Sequence, residues 1–144
     1  MAADRVTNAF ERALEDILAR VFACIARPRI AVAYSGGLDS SVLLHLAKAY
    51  AVAHDIELRA FHIHHGLSVH ADTWAAHCKA ECGRVGVAFE ARQVVVHAAG
   101  EGVEQAARKA RYAALGRLCA ESDVDLLLTA HHQDHQVETV LLQM

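Results

Sequence analysis

A short loop rich in glycine and serine is the first segment of this chain that could do chemistry. It has the sequence SGGLDSS, and its residues other than Leu38 are Ser35, Gly36, Gly37, Asp39, Ser40 and Ser41. Glycines let a backbone turn sharply and approach a ligand closely. When such a loop opens a helix, its amide N–H groups and the helix N-terminus attract anions, and the serine hydroxyls can add donors. The loop therefore predicts an anion site, with a plain turn capped by Asp39 or Ser40 as the alternative.

Two further clusters of polar residues lie on predicted secondary structure, one at the end of a strand and one on a helix. His62, His64 and His65 follow an apolar run, at the end of a predicted strand where ligands bind in open α/β sheets. They indicate a ligand site, with a solvated turn as the alternative. Glu104, Arg108 and Arg111 are spaced by four and three residues, so they share one face of a predicted helix. That face could equally be a surface network of salt bridges.

The densest polar cluster lies near the end of the sequence. It contains His131, His132, Asp134, His135 and Glu138. In a helix, residues 131 and 135 would lie one turn apart, as would residues 134 and 138. Imidazole and carboxylate both suit zinc, but the spacing matches no standard zinc pattern. A helix start with exposed polar side chains is the other alternative.

Periodic apolar residues predict the elements that must position these groups. Short apolar runs predict strands at residues 30–34, 56–63, 87–96 and 124–129. Helical spacing predicts helices over residues 10–25, 39–53, 71–85 and 102–122, and from about Asp134 to Met144. The alternation predicts a doubly wound α/β fold whose mostly parallel sheet has helices on both faces. We expect an N-terminal helix within residues 1–28 and one incomplete domain over residues 29–144 that ends inside a helix, as in a piece of a longer protein.

Composition narrows the class of protein. The formal net charge is −3 and the four cysteines form no C-x-x-C pair, so neither a basic nucleic-acid-binding surface nor a disulfide framework is evident. No apolar stretch approaches the roughly 20 residues of a membrane span, and the N-terminus does not resemble a signal peptide. We expect a cytoplasmic protein with reduced thiols and no membrane partner. Cys78 and Cys82 share an apolar helical face and are expected in the core.

The loop at residues 35–41 resembles the Ser-Gly-Gly-x-Asp-Ser signature of the PP-loop ATP pyrophosphatases. This resemblance implies that the loop and Ser41 bind ATP, which is split between its α- and β-phosphates, and that Asp39 helps to hold Mg²⁺. It also implies that the strand end at His62 and His64 meets adenine. By the same resemblance, Arg108 and Arg111 contact phosphate or nucleic acid, since a guanidinium matches phosphate geometry.

Together the three polar clusters resemble the branch of this family that forms lysidine in tRNA. The resemblance implies that ATP adenylates the wobble cytidine of an isoleucine tRNA with a CAU anticodon and that free L-lysine then displaces AMP. The catalytic residues it implies are Asp39, Arg111, His131, Asp134 and Glu138. It places the tRNA-binding regions largely C-terminal to this chain. Another PP-loop ligase, a tRNA thiolase and a nucleotide-binding module without catalysis are the alternatives.

The sequence departs from that branch at one position. The usual motif is His-His-x-Asp-Asp-Gln-x-Glu-Thr, and His135 stands where the second Asp is expected. Acidic residues of this motif are associated with the amino-acid substrate and with metal. One negative charge is therefore missing where a lysine ammonium would be held, which puts the strength of lysine or metal binding in doubt.

Overall fold

A computed structural model of the chain describes residues 2–21, 27–64, 69–96, 102–130 and 137–141. The helices are α1 (Ala2–Val21), α2 (Leu38–His54), α3 (Val69–Val85) and α4 (Val103–Glu121). The strands are β1 (Ile30–Ala33), β2 (Leu58–His64), β3 (Ala88–Gln93), β4 (Leu126–Ala130) and β5 (Val137–Leu141). The first four strands and helices α2, α3 and α4 lie within a few residues of their predicted bounds, whereas α1 begins at Ala2, ahead of the periodic pattern that starts at Phe10. None of the helices in these ranges is long and apolar enough to cross a membrane.

The strands form one five-stranded sheet with the order β3-β2-β1-β4-β5. Ile30 of β1 lies opposite Leu58 on one side and Leu126 on the other, and both pairings are parallel. The chain builds outward from β1 to β2 and β3, then returns through α4 to place β4 on the other side of β1. This reversal of direction is the doubly wound arrangement expected from the sequence.

The two faces of the sheet pack against different helices. On one face, Val32 and Ala60 belong to a core cluster that includes side chains of α1, α2 and α3. On the other face, Ala31 and Phe61 pack with side chains of α4. Each fully buried Leu or Phe contributes roughly 1.5–3 kcal/mol relative to exposure. Packing on both faces therefore helps to hold the strands in register. The carboxyl ends of the parallel strands β1 to β4 lie at the same edge of the sheet.

The cysteines in the described ranges are core residues, as predicted for the α3 pair. Cys78, Cys82 and Cys119 are each 0% exposed, and all three are free thiols. Burial raises the pKa of each of these thiols to about 11. The neutral thiol therefore dominates at neutral pH, and these side chains act as small apolar groups.

The helix predicted from about Asp134 to Met144 is wrong over residues 137–141. These residues form β5, which pairs antiparallel with β4 and sets Val137 opposite Ala130 and Leu141 opposite Leu126. Val137, Thr139 and Val140 are β-branched, and such residues favour strands. The spacing of side chains within this segment does not decide between helix and strand, whereas the outer edge of β4 offers backbone groups that an added strand can pair with.

A buried histidine ties β2 to the end of β1. His62 is 5% exposed, and its Nδ1 lies 2.9 Å from the carbonyl oxygen of Tyr34. Because a carbonyl only accepts, Nδ1 carries the proton in this hydrogen bond. Burial lowers the pKa of His62, and the nearby His64 and Arg111 lower it further, whereas the bond to Tyr34 opposes the shift. The imidazole is therefore neutral at pH 7.

This arrangement predicts a pH-dependent stability. As pH falls below about 6.5, the unfolded chain protonates this histidine while the folded chain does not. The free energy of unfolding should therefore fall with pH from about 6.5 down to the lowered pKa of folded His62. Replacing His62 with Asn removes the titrating group and should flatten that part of the profile. Thermal unfolding between pH 7.5 and 5 measures it, with exposed His45→Asn as the control; equal profiles for wild type and His62→Asn would contradict the assignment.

Candidate functional site

A cavity of about 240 Å³ opens at the carboxyl edge of the sheet. The last residues of two neighbouring strands, Ala33 of β1 and Ala130 of β4, lie at its base. Its other lining residues are Ser35, Gly37, Asp39, Ser40 and Arg111. The strand order reverses between β1 and β4, and open α/β sheets bind ligands at such a reversal. The topology thus places the predicted glycine-rich loop and an arginine of α4 around one opening.

Two of the three serines of the loop, Ser35 and Ser40, hold the loop in its shape. The Ser35 amide donates to Ser40 Oγ at 3.2 Å, and the two serine hydroxyls lie 3.0 Å apart. The Gly37 amide donates to Ser35 Oγ at 3.3 Å, and Ser40 Oγ donates to the Gly37 carbonyl at 3.3 Å. Ser40 is only 5% exposed. These hydroxyls therefore fix the turn, and any anion binding depends on the backbone amides and the helix they precede.

The N-terminus of α2 faces the same opening. Gly37 is the N-cap, and no side chain caps this helix end. The amides of a first helical turn lack intrahelical acceptors, and the helix dipole makes this end partly positive. Asp39 lies in that first turn and lines the cavity. The site thus combines an anion-attracting helix end with one carboxylate that could bind a cation.

The turn itself requires glycine at one position and tolerates a side chain at the next. Gly36 has φ +85°, and a Cβ there would lie 2.7 Å from Cys78 Sγ and 2.8 Å from Trp74 Cζ2. At Gly37, by contrast, an added Cβ would find its nearest neighbour, Ser35 Oγ, at 3.5 Å. Gly36 therefore packs against α3, whereas Gly37 lies on the open side of the loop.

A tryptophan that no sequence motif indicated contacts the loop of the site. Trp74 of α3 donates its indole Nε1–H to the Ser35 carbonyl oxygen at 2.7 Å. It is the single tryptophan of the chain and is 45% exposed. Its exposure, unusual for a large aromatic side chain in a predicted helix, is visible only in three dimensions. Nothing in its local sequence points to a loop 39 residues away.

Arg111 is the cation that the fold brings to the cavity. It lines the opening and is half-buried, and its guanidinium carbon lies 5.9 Å from the centre of the Tyr112 ring. The guanidinium carbon of Arg108 lies 5.5 Å from the centre of the same Tyr112 ring, but Arg108 is exposed and does not line the cavity. Of the two predicted arginines, only Arg111 is therefore placed to meet a ligand there.

Other predicted residues lie beside the cavity rather than in its wall. The Ser41 side chain is hydrogen-bonded to that of Tyr34, away from the lining. His62 supports the Tyr34 carbonyl. The rings of His62 and His64 are 6.0 Å apart, and His62 Nε2 and His64 Nδ1 are buried without a partner among the described residues. Both histidines belong to β2, the strand that pairs with β1, whose end leads into the loop.

The last predicted cluster is described only in part. His131, Asp134 and His135 lie outside the described residues. Glu138 is placed by its backbone in β5, opposite Thr129. Among the residues with described positions, no group of three metal-binding side chains comes together.

Comparison with known proteins gives one family and a consistent set of relatives. Residues 6–144 match the family model described as PP-loop domain. The chain is 51% identical over 140 residues to a tRNA(Ile)-lysidine synthase of Ralstonia nicotianae, covering 91% of the chain and 30% of that protein. It is 54% identical over 114 residues to the same enzyme of Alkalilimnicola ehrlichii, covering 78% of the chain and 25% of that protein. The chain thus spans less than a third of the length of these curated relatives.

A solved structure agrees with the fold. The U34-tRNA thiolase NcsA from Methanococcus maripaludis, solved with its [4Fe-4S] cluster, superposes with a TM-score of 0.68 at 19% identity. The match covers 93% of this chain and 47% of that one. At this identity the likeness concerns the fold alone. Because the family model covers nearly the whole chain, this chain belongs to the PP-loop family.

Proposed function

We propose that this chain binds ATP at the cavity and supplies the ATP-using part of a ligase that forms lysidine in tRNA. In the proposed reaction, ATP adenylates the wobble cytidine of isoleucine tRNA with a CAU anticodon, and the amine of free L-lysine then displaces AMP. The observation that carries the proposal is the convergence of the glycine-rich loop, the start of α2 and Arg111 on one opening. The relatives named tRNA(Ile)-lysidine synthase supply the choice of reaction.

The cavity suits the phosphate portion of a nucleotide. Its volume of about 240 Å³ is below the roughly 300–1,000 Å³ of pockets that enclose drug-sized ligands, so it accommodates part of ATP. Backbone amides, a helix N-terminus and the Arg111 guanidinium are all attractive to phosphate oxygens. Such groups stabilise the charge that builds up as pyrophosphate leaves. The base and ribose would then extend toward the strand end at His62 and His64.

The donor set also fits Mg²⁺ bound together with phosphate. Mg²⁺ is commonly held by one or two carboxylates and by substrate phosphates. Asp39 supplies a carboxylate in the cavity wall, next to the expected position of the phosphates. When bound, Mg²⁺ would neutralise charge on phosphate oxygens. Asp39 would hold it, while Arg111 and the loop amides bind the remaining oxygens.

The segment after β4 is the proposed place for the second substrate. His131 follows Ala130 directly, and Ala130 lines the cavity. The pairing of β5 with β4 brings the backbone of Glu138 beside Thr129, one residue from that lining. We propose that His131, Asp134 and Glu138 act on the cytidine and on the lysine ammonium. His135 supplies no carboxylate there, so the ammonium depends on Asp134 and Glu138.

The tRNA partner would approach over the exposed side of α4. Arg108 is exposed and packs near the ring of Tyr112, a pairing that suits phosphate and base contacts. The chain as a whole carries a net charge of −3, so most of the binding energy for tRNA must come from elsewhere. We propose that the regions present in the much longer relatives supply it, and that the reaction takes place in the cytoplasm, where tRNA is modified.

A tRNA thiolase is the rival that shares this fold. In that reaction a cysteine thiolate or a cluster held by cysteines would have to face the cavity. The three described cysteines are buried in the core, and the pKa of each is raised to about 11. None of them lines the cavity. In the part of the chain that the structure describes, the burial of the cysteines therefore favours a ligase over a thiolase.

Substitutions at the adjacent glycines Gly36 and Gly37 should have different effects. Gly37→Val should leave the fold intact, because Gly37 has φ −75° and room for a Cβ. Because Gly37 lines the cavity, the added side chain should crowd the space for the phosphates. We expect ATP affinity, measured by calorimetry, to fall at least about tenfold, equivalent to roughly 1.4 kcal/mol. Gly36→Ala should instead lower the unfolding temperature, because its Cβ meets Cys78 and Trp74. A folded Gly37→Val chain with unchanged ATP affinity would remove the loop from the site.

The proposed reaction is tested with a chimera. This chain replaces the matched region of the Ralstonia nicotianae relative, and AMP formation is measured. We expect AMP only when ATP, lysine and tRNA with a CAU anticodon are all present, and an Asp39→Asn version should lose it. The matched control is Asp55→Asn, at the far end of α2. AMP formation that ignores lysine or the anticodon, or none in a chimera that folds and binds ATP, would contradict lysidine formation while leaving ATP binding intact.

A further inference from the structure

Two consecutive carbonyl oxygens between β1 and α2 are held by side chains of other elements. The Tyr34 carbonyl accepts from His62 Nδ1 at 2.9 Å, and the Ser35 carbonyl accepts from Trp74 Nε1 at 2.7 Å. Neither donor is near the loop in sequence. Hydrogen bonds of this length are well formed, so both peptide groups have a set orientation.

The orientation of a carbonyl also sets the orientation of the following amide. In a trans peptide the C=O and the N–H point in opposite directions, and the described residues contain no cis peptide. For the Tyr34–Ser35 peptide both ends are held, because the Ser35 amide donates to Ser40 Oγ at 3.2 Å. For the Ser35–Gly36 peptide, the bond to Trp74 turns the Gly36 amide away from α3.

This second peptide is the one that could rotate. Turning a peptide plane changes ψ of the preceding residue and φ of the following one, and glycine adopts either sign of φ readily. Gly36 has φ +85°. The Ser35 carbonyl also has Cys78 Sγ at 3.8 Å, a weak donor. Trp74 is therefore the strong contact that opposes rotation.

We propose that Trp74 is a positioning residue of the phosphate site. Its indole N–H keeps the Ser35 carbonyl turned toward α3 and so leaves the Gly36 amide directed to the phosphate oxygens of ATP. A rotated peptide would present a carbonyl oxygen to an anion, which it repels. This inference rests on the proposed ATP binding and deepens it by naming the group that keeps the loop in its anion-binding form.

The chain allows a test that removes the N–H and little else. Because it contains a single tryptophan, expression with β-(3-benzothienyl)alanine in place of tryptophan changes position 74 alone and exchanges the N–H for sulfur. The ring still packs against Gly36. Pyrophosphate is titrated into the ¹⁵N-labelled chain, and both its affinity and the amide signals are followed. Trp74→Phe is the second variant, and Val52→Ala, on the exposed far part of α2, is the control.

We expect the isostere to bind pyrophosphate about tenfold more weakly, as for the loss of one hydrogen bond. Its unfolding temperature should stay close to that of the wild type, and the Gly36 amide should lose its pyrophosphate-induced shift while that of Ser40 remains. Unchanged affinity in the isostere and in Trp74→Phe would overturn the inference. So would a loss of affinity that only accompanies a fall in unfolding temperature. If the wild-type chain itself bound no pyrophosphate, the proposed ATP site would be wrong as well.

Discussion

The close approach of the backbone at Gly36 to helix α3 is the constraint on which the site depends. A Cβ at this position would lie within 3 Å of both Cys78 and Trp74, so the turn and the helix fit together only with glycine there. Cys78 also belongs to the core that joins α2 and α3 to the sheet. The shape of the loop therefore depends on the packing of the core, because the buried Cys78 side chain is small enough to let the loop pack against α3.

The topology of the sheet brings two positive groups to the cavity. The chain leaves β1 to form α2 on one face of the sheet and returns through α4 on the other, so the two helices approach the cavity from opposite faces. One contributes a helix N-terminus and the other contributes Arg111. Two positive groups converge on an opening that the loop amides already favour for anions. The proposed phosphate site rests on this convergence, whereas the proposed choice of the accepting substrate rests on the residues after β4.

Much of this could be predicted from the sequence because the signals were local. Apolar runs of strand length predicted the parallel strands, and the glycine-serine motif predicted a loop between a strand and a helix, which the structure places at the cavity. One feature was not local, because Trp74 meets Ser35 across 39 residues. Two others depend on side-chain orientations that residue types and spacing do not specify: the Ser40 hydroxyl is occupied within the loop, and Ser41 turns to Tyr34. The strand at residues 137–141 was missed because its pairing partner, not its own polar spacing, decides its conformation.

The central claim is that the loop, the start of α2 and Arg111 bind the phosphates of ATP. A crystal structure of the chain with the non-hydrolysable analogue α,β-methylene-ATP and Mg²⁺ tests it most directly. We expect the β- and γ-phosphates in the cavity, within hydrogen-bonding distance of the loop amides and the Arg111 guanidinium, with the metal on Asp39. A nucleotide bound elsewhere on the chain, or phosphates that contact neither the loop nor Arg111, would contradict it.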